Sequence, residues 1–162
     1  MIRLLIDKLG DGHKDLFLKI DVMVNHVEIA DSYFLFDFLE ISEHDYKKLP
    51  DGEGARLKFG AKKLIEFWKE RIKKVERGQK TFMPFDLSDQ CIGGLQLEKV
   101  KLGFKTQLVF TDKIVGPEVG IYNLDNLIAD REIEFQTLDN NEWLIGEEAI
   151  YSGLDWSLKE HS

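Results

Sequence analysis

Three histidines stand close to carboxylates in this chain, and such pairs are where chemistry is first sought. His26 and Glu28 are two apart, a spacing that puts both side chains on one face of a strand. A metal centre built on them needs one or two further ligands from elsewhere in the fold. His13 lies between Asp11 and Asp15 in a glycine-flanked loop, and His44 precedes Asp45. None of these spacings is that of a zinc site, an EF-hand or a metalloprotease helix. Each is read first as a surface or hydrogen-bonded histidine. Cys91 is the single cysteine, has no CxxC partner, and needs a base brought close in space to act as a nucleophile. It is read as a structural thiol. No dinucleotide or phosphate-cradling glycine pattern and no nucleophile elbow occurs. With 30 Asp/Glu in the chain, neighbouring carboxylates carry no signal of acid–base catalysis. No catalytic residue, metal or cofactor is therefore assigned, and the chain is expected not to be an enzyme.

A second chemistry is phosphate binding. From Arg56 to Lys80 ten Lys/Arg face three Glu, a local charge of +7. Lys62, Lys63, Lys69, Arg71, Lys73 and Lys74 could meet a nucleic-acid backbone. The simpler reading is the solvated face of an amphipathic helix, because the rest of the chain carries twelve Lys/Arg against 27 Asp/Glu, or −15. The net charge is −8, and residues 123–162 alone hold ten acids and two bases. Such a surface repels nucleic acid and anionic membranes and speeds encounter with basic partners.

These residues have to be positioned by elements that the pattern also reveals. Leu16, Leu18, Ile20, Val22 and Val24 alternate with polar or large neighbours through Asn25, the period of a half-buried strand. Residues 33–41, YFLFDFLEI, are nearly all apolar and aromatic and read as a buried strand paired with the first across Asp31-Ser32. Ser42 to Asp45 reads as the cap of a short helical turn ending at Pro50, and Pro50-Asp51-Gly52 as a turn. Ala61, Leu64, Ile65, Trp68, Ile72 and Val75 form one apolar stripe, predicting a helix over about 61–77 with Gly78 as its C-terminal cap. Strands follow. Thr81–Phe85 is expected at a sheet edge because Pro84 cannot donate to a ladder. Gly93-Gly94 reads as a turn, and the run Leu95–Phe104 shifts its apolar register near Lys99, as at a bulge. Further strands are expected at 107–111 and 133–138, then a turn at Asp139-Asn140-Asn141 leading into Trp143-Leu144-Ile145. A last helix, about 147–158, buries Ala149, Ile150, Gly153, Leu154 and Ser157 or Leu158, with Glu147 and Glu148 favourably placed in its first turn. Successive strands without intervening helices argue an α+β fold with an antiparallel sheet, one long amphipathic helix and a C-terminal helix.

The length of 162 residues suits one domain spanning 1–162, and a chain of this size buries about two-thirds of its unfolded surface. One cysteine allows no internal disulfide, and there is no signal-peptide pattern and no apolar run long enough for a membrane span. A cytoplasmic location is expected.

Residues 142–150 (EWLIGEEAI) running on to Gly153-Leu154-Asp155-Trp156, in this acidic α+β setting, resemble immunity proteins of bacterial polymorphic-toxin and contact-dependent growth inhibition systems. These form a loose group of unrelated folds. The resemblance implies a cytosolic, non-enzymatic protein that binds and occludes a cognate toxin domain, often a basic nuclease. It transfers no individual residue. Charge clustering points to Asp125, Asp130, Glu132, Glu134, Asp139 and Glu142 as partner contacts, with Tyr122 and Trp143 as aromatic anchors. For any one of them a solvated acid or a core aromatic is the plainer role. Two other functions stay open. One is a small enzyme or ligand-binding domain whose pocket gathers distant residues, which a deep polar pocket holding two of His13, His26 and His44 would favour. The other is a nucleic-acid binder using the basic helix.

Overall fold

The computed structural model describes residues 1–23, 25–49 and 54–162, with the side chains of Tyr46, Asp139 and Asn140 set aside. Val24 and the expected turn Pro50-Asp51-Gly52 lie outside the described residues. Two antiparallel sheets, rather than one, share a continuous apolar core.

The first sheet has order β1-β2-β3, from Ile2–Ile6, Leu16–Asp21 and Asn25–Ala30. Its inner face is set by period-two burial of Ile2, Leu4, Leu16, Leu18 and Ile20, all fully buried. The alternation read as one strand from Leu16 to Asn25 is interrupted, because β2 ends at Asp21 and β3 starts at Asn25. The second sheet has order β4-β5-β6-β7, from Lys80–Leu87, Ile92–Val100, Gly103–Thr111 and Gln136–Ile145. Pro84 does lie on an edge strand, at a register shift between Pro84 and Asp86.

Helix α3, Ala55–Lys74, buries Leu57, Gly60, Ala61, Leu64, Ile65, Trp68 and Ile72. It starts six residues earlier than the stripe suggested and stops at Lys74, where Val75 turns extended and buried. Gly78, at φ +83°, sits in the following turn rather than capping the helix, and its N–H reaches Lys99 O at 2.8 Å. Trp68 is fully buried, and its indole N–H donates to Pro84 O at 2.9 Å, tying α3 to β4.

Residues 33–41 are not a strand. They fold as turns around the short helix α1, Leu35–Phe38. Leu35, Phe38 and Leu39 recur at helical spacing and are buried, so the apolar run satisfies a helix as well as a strand. Helix α2, Glu43–Tyr46, is capped as expected: Asp45 accepts from Ser42 Oγ at 2.7 Å and from Ser42 N at 3.1 Å.

Gly93-Gly94 lies inside β5, and the turn before it is 88–91. A Cβ on Gly94 would come within 2.1 Å of Met83 O, so glycine is there for backbone approach across the ladder. The β5–β6 ladder runs in unbroken register to Val100↔Gly103, so the apolar shift near Lys99 marks a tight turn at 101–102, not a bulge. Residues 139–141 are likewise within β7, at an irregularity where pairing jumps from Gln107↔Glu142 to Val109↔Thr137.

Helix α5, Glu147–Glu160, buries Ile150, Gly153, Leu154 and Ser157, and covers the free edge of β1. Leu4 N–H donates to Ser157 Oγ at 3.0 Å, Ser157 Oγ–H donates to Gly153 O at 3.0 Å, and His161 Nε2 lies 2.9 Å from Leu4 O. A Cβ at Gly153 would lie 2.2 Å from Ile2 O. No described helix is long and apolar enough to cross a membrane.

Candidate functional site

Helix α4 spans Leu124–Asp130 and leads through Ile133 and Phe135 into β7. Leu124 is fully buried, Leu127, Ile128 and Ile133 pack against the core, and Phe135 stacks on Phe82 with ring centroids 4.3 Å apart. This apolar anchoring turns the intervening acids outward. The segment is further strapped by Arg131, which donates to Lys113 O at 2.7 Å and to both Glu118 carboxylate oxygens at 3.1 and 3.2 Å. The Arg131 guanidinium holds the Glu118 carboxyl below its ordinary range.

The eight residues singled out by charge and aromaticity divide into two groups. Asp130, Glu132 and Glu134 are exposed and have no ion pair among the described residues, and Tyr122 is 79 % exposed. Glu132 adopts φ +48°, which turns the chain sharply out of α4. Asp125, in contrast, is a strut. Arg71 donates to its two oxygens at 3.0 and 2.6 Å while its Nε donates to Phe82 O at 2.7 Å, so one guanidinium joins α3, β4 and α4. Glu142 pairs with Lys105 at 3.7 Å across the β6–β7 ladder. Trp143 is partly buried, its ring 5.4 Å from the His26 ring, so it braces β3 against β7. Asp139 is in β7, and its side chain lies outside the described residues.

Three of the six basic residues named on α3 are paired within the protein. Lys63 pairs with Glu66 at 3.0 Å, Lys69 with Asp155 at 2.5 Å, and Arg71 with Asp125. Those three cations are thereby diverted from any phosphate.

The histidines do not converge. His13 is exposed and lies 3.2 Å from Asp31, whose hydrogen bond raises the imidazole above its ordinary pKa. His26 hydrogen-bonds Glu28 on the inner face of β3, and His44 is exposed on α2. Among the described residues no three His, Cys, Asp or Glu side chains gather as a metal site. The Cys91 thiol has Ser88 Oγ beside it at 3.5 Å, within the 88–91 turn. A cleft of about 560 Å³ is lined by Gly10, Asp11, Asp15, Ser32, Tyr33 and Arg56 among others. Its buried acid, Asp15, is structural: it accepts from Ser32 N at 2.9 Å, Ser32 Oγ at 2.7 Å and Gly12 N at 3.1 Å.

Helix α4 itself was not anticipated, and two further features escaped the sequence reading. One is His161, buried on α5, for which the spacing Gly153-x₃-Ser157-x₃-His161 along one helical face was the available signal. The other is a groove of about 190 Å³ between β3 and the inner face of the second sheet, lined by Glu28, Ile29, Asp86, Gly93, Phe110 and Leu138 among others. Burial, then the charges of Asp31 and Glu28, raise the Asp86 carboxyl above its ordinary range. Its signal was the glycine pair inside a strand pattern. Comparison of the chain with protein-family models, with curated proteins and with solved structures finds no match in any of the three.

Proposed function

We propose that this protein is a non-enzymatic, immunity-type inhibitor that binds a basic toxin domain through the acidic edge running from α4 into β7. The observation that carries the reading is the trio Asp130, Glu132 and Glu134, without an ion pair among the described residues and held outward on a strapped, core-anchored segment. Exposed carboxylates without internal partners steer a basic protein into encounter and set its orientation. Tyr122, at the other end of α4, supplies an amphipathic aromatic of the kind enriched at interfaces. Fixed geometry lowers the ordering cost of binding. The net charge of −8 supports the same partner class. Asp125, Glu142 and Trp143 serve this surface indirectly, by holding α4 and β7 in place.

The test is affinity capture of the tagged chain from its native cell, followed by a toxicity-protection assay with the captured protein. The expected result is a 1:1 complex with a basic domain, protection of cells, and loss of both in the triple variant Asp130→Lys, Glu132→Lys, Glu134→Lys. A complex or protection indifferent to that triple reversal removes the acidic edge from the account.

A further inference from the structure

We propose that the groove over Gly93 and Gly94 seats a lysine side chain of the protein partner. This deepens the reading above and rests on it. The groove holds about 190 Å³, below the roughly 300–1,000 Å³ of sites for small-molecule ligands, and so is sized for a single side chain. Its floor carries no side chain at Gly93, where an added Cβ would make ordinary van der Waals contacts with Asp86 and Val109, the nearest at 3.5 Å. Ile29, Phe85, Leu108, Phe110 and Leu138 line it with apolar surface. Ile29 and Leu138 are 53 % and 39 % exposed, which leaves the groove reachable from solvent.

Two carboxylates, Glu28 and Asp86, line the same space. Glu28 is shared with His26, whereas Asp86 has no hydrogen bond or ion pair among the described residues although it is half-buried. A partly desolvated, unpaired carboxylate in an apolar groove is complementary to a group with an apolar stem and a cationic tip. Lysine has that shape: four methylenes that bury well and a compact ammonium with three donors. The wide, planar fork of arginine needs a flatter, bidentate acceptor. Charge complementarity therefore selects the occupant.

The experiment titrates the full-length chain with Nα-acetyl-lysine N-methylamide and follows backbone amide resonances, with the norleucine and arginine analogues in parallel arms. The expected result is saturable shifts at Gly93, Gly94 and Leu138 with the lysine probe, at least tenfold weaker binding of norleucine and arginine, and at least tenfold weaker lysine binding in Asp86→Asn. Asp86→Asn keeps the shape of the groove, and its dispersed spectrum certifies the fold. Absent lysine shifts, norleucine or arginine binding as well as lysine, or an indifferent Asp86→Asn variant each overturns the proposal. The acidic edge does not include Asp86. Failure here with charge-reversal-sensitive protection intact sinks the groove alone; the converse result sinks the inhibitor reading, and with it the partner as the source of the lysine, while the lysine-binding groove stands.

Discussion

Alanine at position 157 removes one oxygen from the place where α5 meets the edge of β1. Ser157 is fully buried, and its hydroxyl both accepts from Leu4 N–H and donates to Gly153 O, each at 3.0 Å. In Ser157→Ala the Leu4 N–H keeps its burial and loses its acceptor. An orphaned buried donor costs about 1–3 kcal/mol. For a domain of this length each kcal/mol moves the melting temperature by about 2–4 °C, so the expected drop is about 2–12 °C. Urea unfolding should show a lowered midpoint with unchanged slope, because the surface exposed on unfolding is the same. The contrast is Ser162→Ala, whose hydroxyl donates to Leu158 O at an exposed helix end and whose loss should stay within about 0.5 kcal/mol. Hydrogen exchange at the Leu4 amide should also quicken in Ser157→Ala. A Ser157→Ala variant as stable as Ser162→Ala would refute the claim that α5 closes this edge through side-chain capping.

Four further outcomes follow from the same geometry. Gly153→Ala should destabilise by up to about 2 kcal/mol in urea unfolding, since the new Cβ would meet Ile2 O at 2.2 Å and overpacking of about 1–3 kcal/mol outweighs the roughly 1 kcal/mol gained in helix propensity. His161 sets an acid limit: burial pushes its pKa below 6.5, its Nε2–H faces Leu4 O, and its Nδ1 has no partner among the described residues. A depressed histidine pKa means that the unfolded chain binds the proton first, so this contribution to stability is intact above about pH 6.5 and declines as pH falls below it. The urea midpoint of His161→Leu should therefore depend less on pH between 8 and 5.5 than that of the parent. Arg71→Ala should cost about 1–3 kcal/mol because the guanidinium is 13 % exposed and bonds Phe82 O, while Asp125→Asn, at a carboxylate 71 % exposed, should cost less than about 1 kcal/mol. Asp86→Asn should leave the melting temperature unchanged or raised at neutral pH, because it removes a half-buried charge that has no partner within the described residues.

The two long helices were the most legible part of the fold, whereas α4 was not anticipated. Ala61, Leu64, Ile65, Trp68 and Ile72 recur at 3.6 residues and lie buried in α3, and the 147–158 stripe became α5 with little change. Pro84 marked an edge strand because its missing N–H is a local fact. Residues 33–41 were not legible, since a run of nine residues with only Asp37 and Glu40 charged fits a helical or a strand period, and burial alone suits either element. Gly93-Gly94 and 139–141 looked like turns for a related reason. Small and polar residues mark either a chain reversal or a strand distorted by close approach, and only the position of Met83 O or Gln107 in space separates the two. In the candidate site, the acids were visible and their partners were not. Asp125 is held by Arg71, 54 residues away, and Glu142 by Lys105 on the neighbouring strand. Asp130, Glu132 and Glu134 remain because no cation folds against them among the described residues.

Docking of a basic toxin domain on the Asp130–Glu134 edge, as proposed, is read out by cell survival. Cells exposed to the captured toxin should live when they express the parent chain, and die when they express the Asp130→Lys, Glu132→Lys, Glu134→Lys chain at equal folded abundance. Equal survival with the parent and the triple variant would contradict the account.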